Sequence, residues 1–109
     1  MRNAPVIYIV VPCYNEEEVL PLTAEFLGKK LDDLTRSRRI HPGSRVLMVD
    51  DGSKDKTWKL IEELHEKDER FAGVKLSRNR GHQNALLAGL FEAARRRMRR
   101  DDRAVYGWL

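Results

Sequence analysis

The acidic pair Asp50 and Asp51 directly follows a short apolar run, a position from which it could bind a ligand. Adjacent carboxylates repel each other and lower stability unless a neighbouring group balances their charge. In a tight turn with a positive φ at Gly52, Asp50 could cap the turn while Asp51 points outward to accept hydrogen bonds from a ligand N–H or a ribose hydroxyl. The alternative is that both residues are turn formers ahead of a helix N-terminus, where acidic side chains are favoured in any case.

Two further polar segments follow apolar runs in the same way. In one, Tyr14 offers a flat ring that could stack on a nucleotide base while the Glu16 carboxylate meets a polar edge. In the other, Asn79, Arg80 and Gly81 could bind a sugar or a phosphate group, helped by the N-terminus of the next helix. The structural alternative is that Tyr14 packs over the end of a sheet and that Glu16 is an ordinary acidic residue of a first helical turn.

The elements that would position these segments alternate between short apolar runs and amphipathic stretches. This alternation is typical of an α/β domain with a mostly parallel sheet. The predicted strands cover residues 6–11, 45–49 and 73–77, and the predicted helices cover about 16–34, 55–69 and 82–97. Ligands of an open parallel sheet bind at the carboxyl ends of the strands, where the loops converge. All three polar segments are therefore expected on one edge of a Rossmann-like βαβαβα sheet.

Several local features follow from the same pattern. The continuous apolar run at residues 6–11 favours a central strand that is buried on both faces and ends at Pro12. Asn15 is a plausible N-cap for the first helix, and Pro21 falls early in it, where a proline costs less. The third helix is expected to bury an apolar stripe formed by Leu86, Leu87, Leu90, Phe91 and Ala94.

Length and composition limit the class of protein. With 109 residues, of which 41% are hydrophobic and 35% charged, the chain fits one globular domain rather than a disordered segment. Its longest apolar run is far shorter than the roughly 20 residues needed to cross a bilayer. Cys13 is the one cysteine, which excludes an internal disulfide and a thiol-rich zinc site. Cys13 is expected to be a small buried filler, and His82 to cap or bond locally.

Basic residues cluster at positions 95–100, although the net charge of +4 is mild. A solvated helix end explains this cluster, and the alternative is a nucleic-acid or anionic-membrane binding module whose affinity would fall steeply with salt. A receiver-like signalling domain is a second alternative, because it also places an Asp pair at a strand end. Such a domain needs the pair after its first strand, whereas here the pair follows the second. A dinucleotide-binding Rossmann domain matches poorly, since no Gly-X-Gly-X-X-Gly follows the first run.

Three segments together resemble the family 2 glycosyltransferases. They are Val-Pro-Cys-Tyr-Asn-Glu-Glu at 11–17, Val-Asp-Asp-Gly-Ser-Lys-Asp-Lys-Thr at 49–57 and Leu-Ser-Arg-Asn-Arg-Gly-His-Gln at 76–83. The likeness covers about residues 6–90 and is greatest to bacterial polyprenyl-phosphate glycosyltransferases and dolichyl-phosphate mannose synthases. It implies a GT-A fold that binds a nucleotide-diphosphate sugar. The chain, 1–109, is then a single partial domain, with the nucleotide-sugar-binding half at about 6–94 and a basic, atypical end at 95–109.

The resemblance also implies roles for individual residues. Tyr14 would lie against the base, Asp51 would accept a hydrogen bond from it, and Val49 would add a backbone contact. Asp50 matches the other acidic residue of that turn, with a less specific role. The rest of the implied set lines the nucleotide pocket (Pro12 and Glu16) or borders the sugar-diphosphate side (Asn79 and Gly81).

For a whole enzyme, the resemblance implies transfer of a hexose from a UDP- or GDP-sugar to a polyprenyl phosphate lipid, by in-line displacement at the anomeric carbon with inversion. A divalent cation, Mg²⁺ or Mn²⁺, would offset charge on the departing diphosphate. The Asp101–Asp102 pair does not match the family's Asp-X-Asp metal site, because it precedes the last apolar segment instead of following it. The metal ligands and the catalytic residues are therefore expected in a C-terminal half that this chain lacks.

The expected partners follow from the same comparison. They are a nucleotide-diphosphate sugar and a polyprenyl phosphate acceptor, with no nucleic acid. A half sheet with an open edge is also expected to self-associate and to be inactive alone. The expected location is the cytoplasm, at the cytoplasmic face of the membrane for a full-length protein.

Overall fold

The computed structural model describes the backbone of residues 4–99 and the side chains of residues 4–96. Within this range the strands are Tyr8–Cys13 (β1), Arg45–Asp50 (β2) and Phe71–Lys75 (β3), and the helices are Leu20–Arg36 (α1), Thr57–Lys67 (α2) and His82–Arg99 (α3). Strands and helices alternate along the chain, which confirms the predicted α/β arrangement. The Asp101–Asp102 pair and the apolar segment 104–109 lie outside the described residues.

The strands form one parallel sheet in the order β1-β2-β3. β2 is central and all of its residues are buried. β1 lies at an edge of the described sheet and is half-buried except at Cys13, so the prediction of a central, doubly buried strand is wrong for the described part of the chain. A continuous apolar run fits a central strand and an edge strand equally well, and only the number of neighbouring strands distinguishes the two.

Pro12 belongs to β1 instead of ending it. It lies opposite Val49 of β2, one residue before the end of the strand. Proline has no N–H to donate to a neighbouring strand, and an edge strand tolerates it because one side of the strand makes no ladder bonds.

Helices cover both faces of the sheet and divide the core into two layers. One layer lies under α1 and α2 and includes Met48 of β2 and Ile61 of α2. The other lies under α3 and includes Leu47 and Val49 of β2. Successive residues of β2 thus enter opposite layers, as the alternation of a strand requires.

The face of α3 that meets the sheet carries small residues, so the predicted apolar stripe of α3 is wrong. Ala85, Gly89 and Ala93 are buried. A Cβ atom at Gly89 would lie 2.4 Å from Cγ1 of Val10 and 2.6 Å from Cγ2 of Val49, so the helix backbone sits directly on the sheet. The residues of the predicted stripe are all exposed, namely Leu86, Leu87, Leu90, Phe91 and Ala94.

Within the basic cluster, Arg96 is not solvated as predicted, whereas Arg95 is partly exposed. Arg96 is fully buried, and its Nε lies 3.1 Å from Oε2 of Glu92. Arg95 also forms an ion pair with Glu92, at 2.5 Å. Both arginines are therefore part of the packing of α3, while the side chains that follow them lie outside the described residues.

α1 and α2 start four and two residues later than predicted, whereas α3 begins at His82 as predicted. Residues 17–19 form a turn, and α1 begins at Leu20 with Pro21 in its first turn. Asn15 does not cap this helix, since its side chain accepts a hydrogen bond from the backbone of Lys54 instead. α2 begins at Thr57 because the Asp55 carboxylate accepts the Thr57 N–H and ends the preceding loop there. No helix in the described range is long and apolar enough to span a bilayer.

Candidate functional site

Three loops meet at the carboxyl edge of the sheet and enclose one cavity of about 370 Å³. They are the first loop (residues 14–19), the second loop (51–56) and the third loop (76–81). The cavity is lined by Pro12, Cys13, Tyr14, Glu16, Asp51, Asn79, Gly81 and His82. This set includes all of the sequence-predicted site residues except Val49 and Asp50, so the structure brings most of that prediction to one place.

Side chains of the second loop and of α2 hold the first loop in place. The N–H of Asn15 donates to Oγ of Ser53 at 2.9 Å, and the N–H of Glu16 donates to Oγ1 of Thr57 at 2.9 Å. The N–H of Glu17 donates to Oδ2 of Asp55 at 3.3 Å. Three consecutive backbone amides before α1 are thus bonded to side chains of the protein. None of these three is available to bind a phosphate group.

The Asn15 side chain also forms a hydrogen bond with the second loop. Its Oδ1 accepts the N–H of Lys54 at 2.8 Å, and its backbone takes a left-handed φ of +49°. Asparagine tolerates this conformation better than most residues. Tyr14 and Glu16, which flank Asn15, are both exposed toward the cavity edge, and the Tyr14 side chain retains 41% of its accessible surface.

Asp51 links the second loop to the other two. Its N–H donates to the carbonyl of Cys13 at 2.8 Å, and its Oδ1 accepts the N–H of Arg80 at 2.7 Å. Only 3% of the residue is exposed, and it lies in the cavity wall. Within the described range, Oδ1 is the oxygen that carries this bond, which leaves Oδ2 to accept from a ligand N–H.

Asp50 and Val49 lie beneath the cavity and do not line it. Val49 is fully buried in the layer under α3. Asp50 is also fully buried, with Oδ1 accepting the N–H of Ser53 at 3.2 Å and Oδ2 without a hydrogen-bond partner among the described residues. Burial raises the pKa of Asp50, although hydrogen bonds from Ser53 and the charge of Lys75 act in the opposite direction. Asp50 therefore shapes the turn from below.

Gly52 and Gly81 set the shape of the second and third loops. Gly52 has the predicted positive φ, +72°, and a Cβ there would lie 2.4 Å from the backbone nitrogen of Asn79. The two loops are therefore in direct backbone contact. Gly81 has a φ of +91°, and its N–H donates to Oδ1 of Asn79 at 2.8 Å. The Asn79 carbonyl oxygen is used in this turn, which leaves its NH₂ group to donate to a ligand.

Cys13 and His82 line the cavity in addition to the predicted residues. Burial, followed by the charges of Glu16 and Asp50, raises the pKa of Cys13 to about 12, so the thiol stays protonated and is no nucleophile. His82 is exposed and is the first residue of α3. Its position directly after Gly81 is the sequence signal for a cavity residue, because the third loop ends there.

The described residues do not fit a divalent cation. No group of three or more His, Cys, Asp or Glu side chains in the described range comes together to hold a metal ion. The acidic residues of the cavity, Glu16 and Asp51, thus belong to no such group.

A second cavity, of about 480 Å³, lies between α1 and α2. Its lining includes Leu20, Leu64 and Phe71, and it contains none of the site residues that the sequence predicted. It is larger than the cavity between the loops, and it is also lined by charged residues, but Arg70 there is already paired with Asp32 and Asp68. The loop cavity is therefore the stronger candidate site.

Comparison with known proteins gives a consistent result. The family model described as Glycosyl transferase family 2 matches residues 8–96. The chain is 48% identical over 95 residues to the uncharacterized glycosyltransferase YkoT of Bacillus subtilis (strain 168), a match that covers 87% of this chain and 28% of YkoT. It is 36% identical over 86 residues to the undecaprenyl-phosphate 4-deoxy-4-formamido-L-arabinose transferase of Pectobacterium atrosepticum, covering 78% of this chain and 24% of that protein.

In a third relative, the match again covers about a quarter of the relative's length. The uncharacterized glycosyltransferase YkcC of Bacillus subtilis (strain 168) is 38% identical over 82 residues, which is 75% of this chain and 24% of YkcC. The chain thus spans about a quarter of the length of the curated relatives that it matches.

Proposed function

The chain belongs to glycosyl transferase family 2, and we propose that it forms the nucleotide-sugar-binding part of an enzyme that transfers a hexose from a UDP- or GDP-sugar to a polyprenyl phosphate. The observation that carries this proposal is the loop cavity. Tyr14, Asp51 and Asn79 come from three separate loops, and together they surround one space of about 370 Å³. A nucleotide needs a flat surface, a hydrogen-bond acceptor and polar groups for its sugar, and these residues supply all three.

The base is expected to lie against Tyr14, with a ring N–H directed at Oδ2 of Asp51. The aromatic ring is exposed enough to offer a face, and the nearly buried carboxylate makes a stronger hydrogen bond than a solvated one would. Uridine and guanosine both present a ring N–H, so Asp51 alone does not select between them. Glu16 is placed at the edge of the same cavity, where it could accept from a hydroxyl group.

The sugar-diphosphate side is expected along the third loop. The Asn79 NH₂ group has no bond to another described residue there, whereas the amides of residues 15–17 before α1 are already bonded to Ser53, Asp55 and Thr57. In the proposed reaction, an oxygen of the acceptor phosphate attacks the anomeric carbon while the bond from that carbon to the diphosphate oxygen breaks. A divalent cation would neutralise the leaving diphosphate, but no described residues hold one, and no step is assigned to it here.

The proposed acceptor rests on a relative. The Pectobacterium atrosepticum protein is named as a transferase for undecaprenyl phosphate, a polyprenyl phosphate. An acceptor of this kind is confined to a membrane, so we place the full-length enzyme at the cytoplasmic face of a membrane. No observation favours the two alternatives that the sequence left open. Arg95 and Arg96, which a nucleic-acid or membrane binding module would use, are paired with Glu92. The acidic pair follows β2, whereas a receiver-like domain needs it after the first strand.

Calorimetric titration with UDP, GDP and their glucose and mannose conjugates, with and without Mn²⁺, tests the donor site. The most informative variant is Asp51→Asn, which keeps an oxygen for the N–H of Arg80 but replaces the acceptor Oδ2 by an NH₂ group. We expect one nucleotide to bind the unmodified chain, and Asp51→Asn to weaken that binding at least about tenfold, because a buried hydrogen bond to a charged group is lost.

Asp33→Asn is the matched control, because this carboxylate is exposed on α1 and pairs only with Arg36 among the described residues. It should bind like the unmodified chain. A folded chain that binds none of the nucleotides would refute the proposed function, and equal effects of the two substitutions would remove Asp51 from the site. Sugar transfer to a polyprenyl phosphate by the purified 109-residue chain would contradict the expectation that it is inactive alone.

A further inference from the structure

We propose that Asp55 and Thr57 are positioning residues that hold Tyr14 and Glu16 in place at the nucleotide cavity. This inference rests on the proposed function and deepens it, because it concerns how the same cavity is built. Neither residue lines the cavity. Both act through the backbone of the first loop, to which they are joined across about 40 positions of sequence.

The Thr57 hydroxyl acts as a hydrogen-bond acceptor and as a hydrogen-bond donor at the same time. It accepts the N–H of Glu16 at 2.9 Å and donates to Oδ1 of Asp55 at 2.5 Å. Thr57 has no exposed surface, so its hydroxyl cannot exchange these partners for water and cannot touch a nucleotide. The direction of the Glu16 N–H is therefore fixed by a buried group.

The Asp55 carboxylate is the common acceptor. Its Oδ1 accepts from the hydroxyl and the backbone N–H of Thr57, and its Oδ2 accepts from the N–H of Glu17 at 3.3 Å. Burial alone would raise the pKa of Asp55, but the hydrogen bonds from Thr57 and Glu17 outweigh it and lower the pKa. The group is thus ionised at neutral pH and can accept all of these bonds at once.

These bonds reach the cavity through two neighbouring residues. Glu16 lines the cavity itself, and Tyr14 lies two residues before it. Asn15, between them, is fixed by Ser53 and Lys54 in a left-handed conformation that directs the chain on either side. Because all of these contacts are made between groups of the protein itself, the fold holds the first loop in place, and binding does not have to order it.

Three variants test this inference by calorimetric titration with UDP and GDP. Thr57→Val keeps the shape of the side chain but removes the hydroxyl, and Thr57→Ser restores it. Ile61→Val is the matched control, because it trims a buried side chain of the same helix away from the loop. We expect Thr57→Val to raise the dissociation constant of the bound nucleotide about tenfold, Thr57→Ser to restore most of the affinity, and Ile61→Val to leave it unchanged.

Amide hydrogen exchange at Glu16 and Glu17, measured without nucleotide, provides a second readout. Thr57→Val should increase exchange at these amides, relative to a reference amide in β2, and Ile61→Val should not. If the unmodified chain binds a nucleotide and Thr57→Val binds it equally well, the positioning role is overturned while the donor site stands. If the unmodified chain binds neither nucleotide, the proposed function fails, and faster exchange in Thr57→Val would then show a purely structural role for this contact.

Discussion

Single residues at this site divide into those that face the cavity and those that shape it. Asp51 and Asp50 are adjacent in sequence, yet Asp51 lies in the cavity wall while Asp50 is completely buried below it. The electrostatic repulsion expected between the two carboxylates is reduced in a different way at each residue. Asp51 accepts the N–H of Arg80, and burial favours the neutral form of Asp50. Neighbouring carboxylates can thus have separate roles, one toward a ligand and one toward the fold.

The buried carboxyl group of Asp50 makes stability depend on pH. Because burial raises its pKa above the ordinary value of 3.8, the folded state keeps a proton that the unfolded chain has lost. The stability from this group is complete below pH 3.8 and is lost as the pH rises through the folded-state pKa. Each unit of difference is worth about 1.4 kcal/mol.

Asp50→Asn should remove this pH dependence, since an amide does not titrate and its oxygen can still accept the N–H of Ser53. Urea unfolding between about pH 4 and about pH 7 should show the unmodified chain losing free energy of unfolding relative to Asp50→Asn as the pH rises. If the difference in the free energy of unfolding between the unmodified chain and Asp50→Asn stays constant over this pH range, burial does not raise the pKa of Asp50.

Gly52 is the residue at which the second and third loops touch. Gly52→Ala would add a Cβ 2.4 Å from the backbone nitrogen of Asn79, at a φ of +72°. We expect a loss of at least about 2 kcal/mol in the free energy of unfolding, because conformational strain and a backbone clash add.

Gly81→Ala is the comparison for this prediction, since φ is +91° but no atom lies within 4 Å of the added Cβ. It should cost only the strain, about 1 kcal/mol. Equal losses for the two variants in urea unfolding would show that contact between the loops contributes nothing.

Among the elements, α3 has an unusual relation to the sheet. Its buried positions Ala85, Gly89 and Ala93 recur every four residues and carry almost no side chain, so the helix lies close to β1 and β2. The first residue of α3 is His82, at the cavity. A change in how deeply α3 sits would therefore also move the third loop and that side of the site.

Gly89→Ala tests this close packing. Alanine is favoured over glycine in a helix by about 1 kcal/mol, but the added Cβ would lie 2.4 Å from Val10 and 2.6 Å from Val49, whose branched side chains turn with difficulty. Overpacking should prevail, with a net loss of about 1–2 kcal/mol in the free energy of unfolding.

Gly28→Ala in α1 is the control, because its new Cβ would meet only the ring of Phe71, at 3.9 Å, and a charged side chain at 4.0 Å. That variant should be more stable than the unmodified chain by about 0.5–1 kcal/mol. If thermal or urea unfolding shows both alanines to be stabilising, α3 does not sit as closely on the sheet as described.

Considered as a whole, the described part of the chain has open strand edges and exposed apolar surface. β1 and β3 each have a strand partner on one side only in the described sheet. Apolar residues are exposed on α3 (Leu86, Leu87, Leu90 and Phe91) and also on α1 (Leu22 and Phe26). Contiguous exposed apolar side chains beside an open strand edge promote association. The relatives that share the family are about four times longer than the matched region.

We therefore expect the 109-residue chain to self-associate in a concentration-dependent way. Phe91→Ser should reduce this association, because Phe91 is 68% exposed beside the other apolar residues of α3. Phe26→Ser is the control, since Phe26 is 60% exposed but lies on α1, on the opposite face of the sheet. Sedimentation velocity at several concentrations measures both, and equal behaviour of the two variants would place the contact elsewhere.

The order of the elements and the identity of most cavity residues could be predicted from the sequence. Alternating apolar runs and amphipathic stretches require parallel strands joined by helices, and parallel strands place their following loops on one edge. The positive φ of Gly52 was also predictable, because an acidic pair followed by glycine is typical of a turn that needs it. These features depend on residue types close together in the chain.

Only the tertiary structure decided which side chains face the cavity and which face of α3 is buried. Apolar periodicity indicated the larger residues of α3, but the space above Val10 and Val49 admits only a small residue such as Gly89. The contacts of Thr57 and Asp55 with the first loop join residues about 40 positions apart, and no local pattern reveals such pairs. Burial, orientation and long-range hydrogen bonds depend on what packs nearby in space, which is why the sequence left them open.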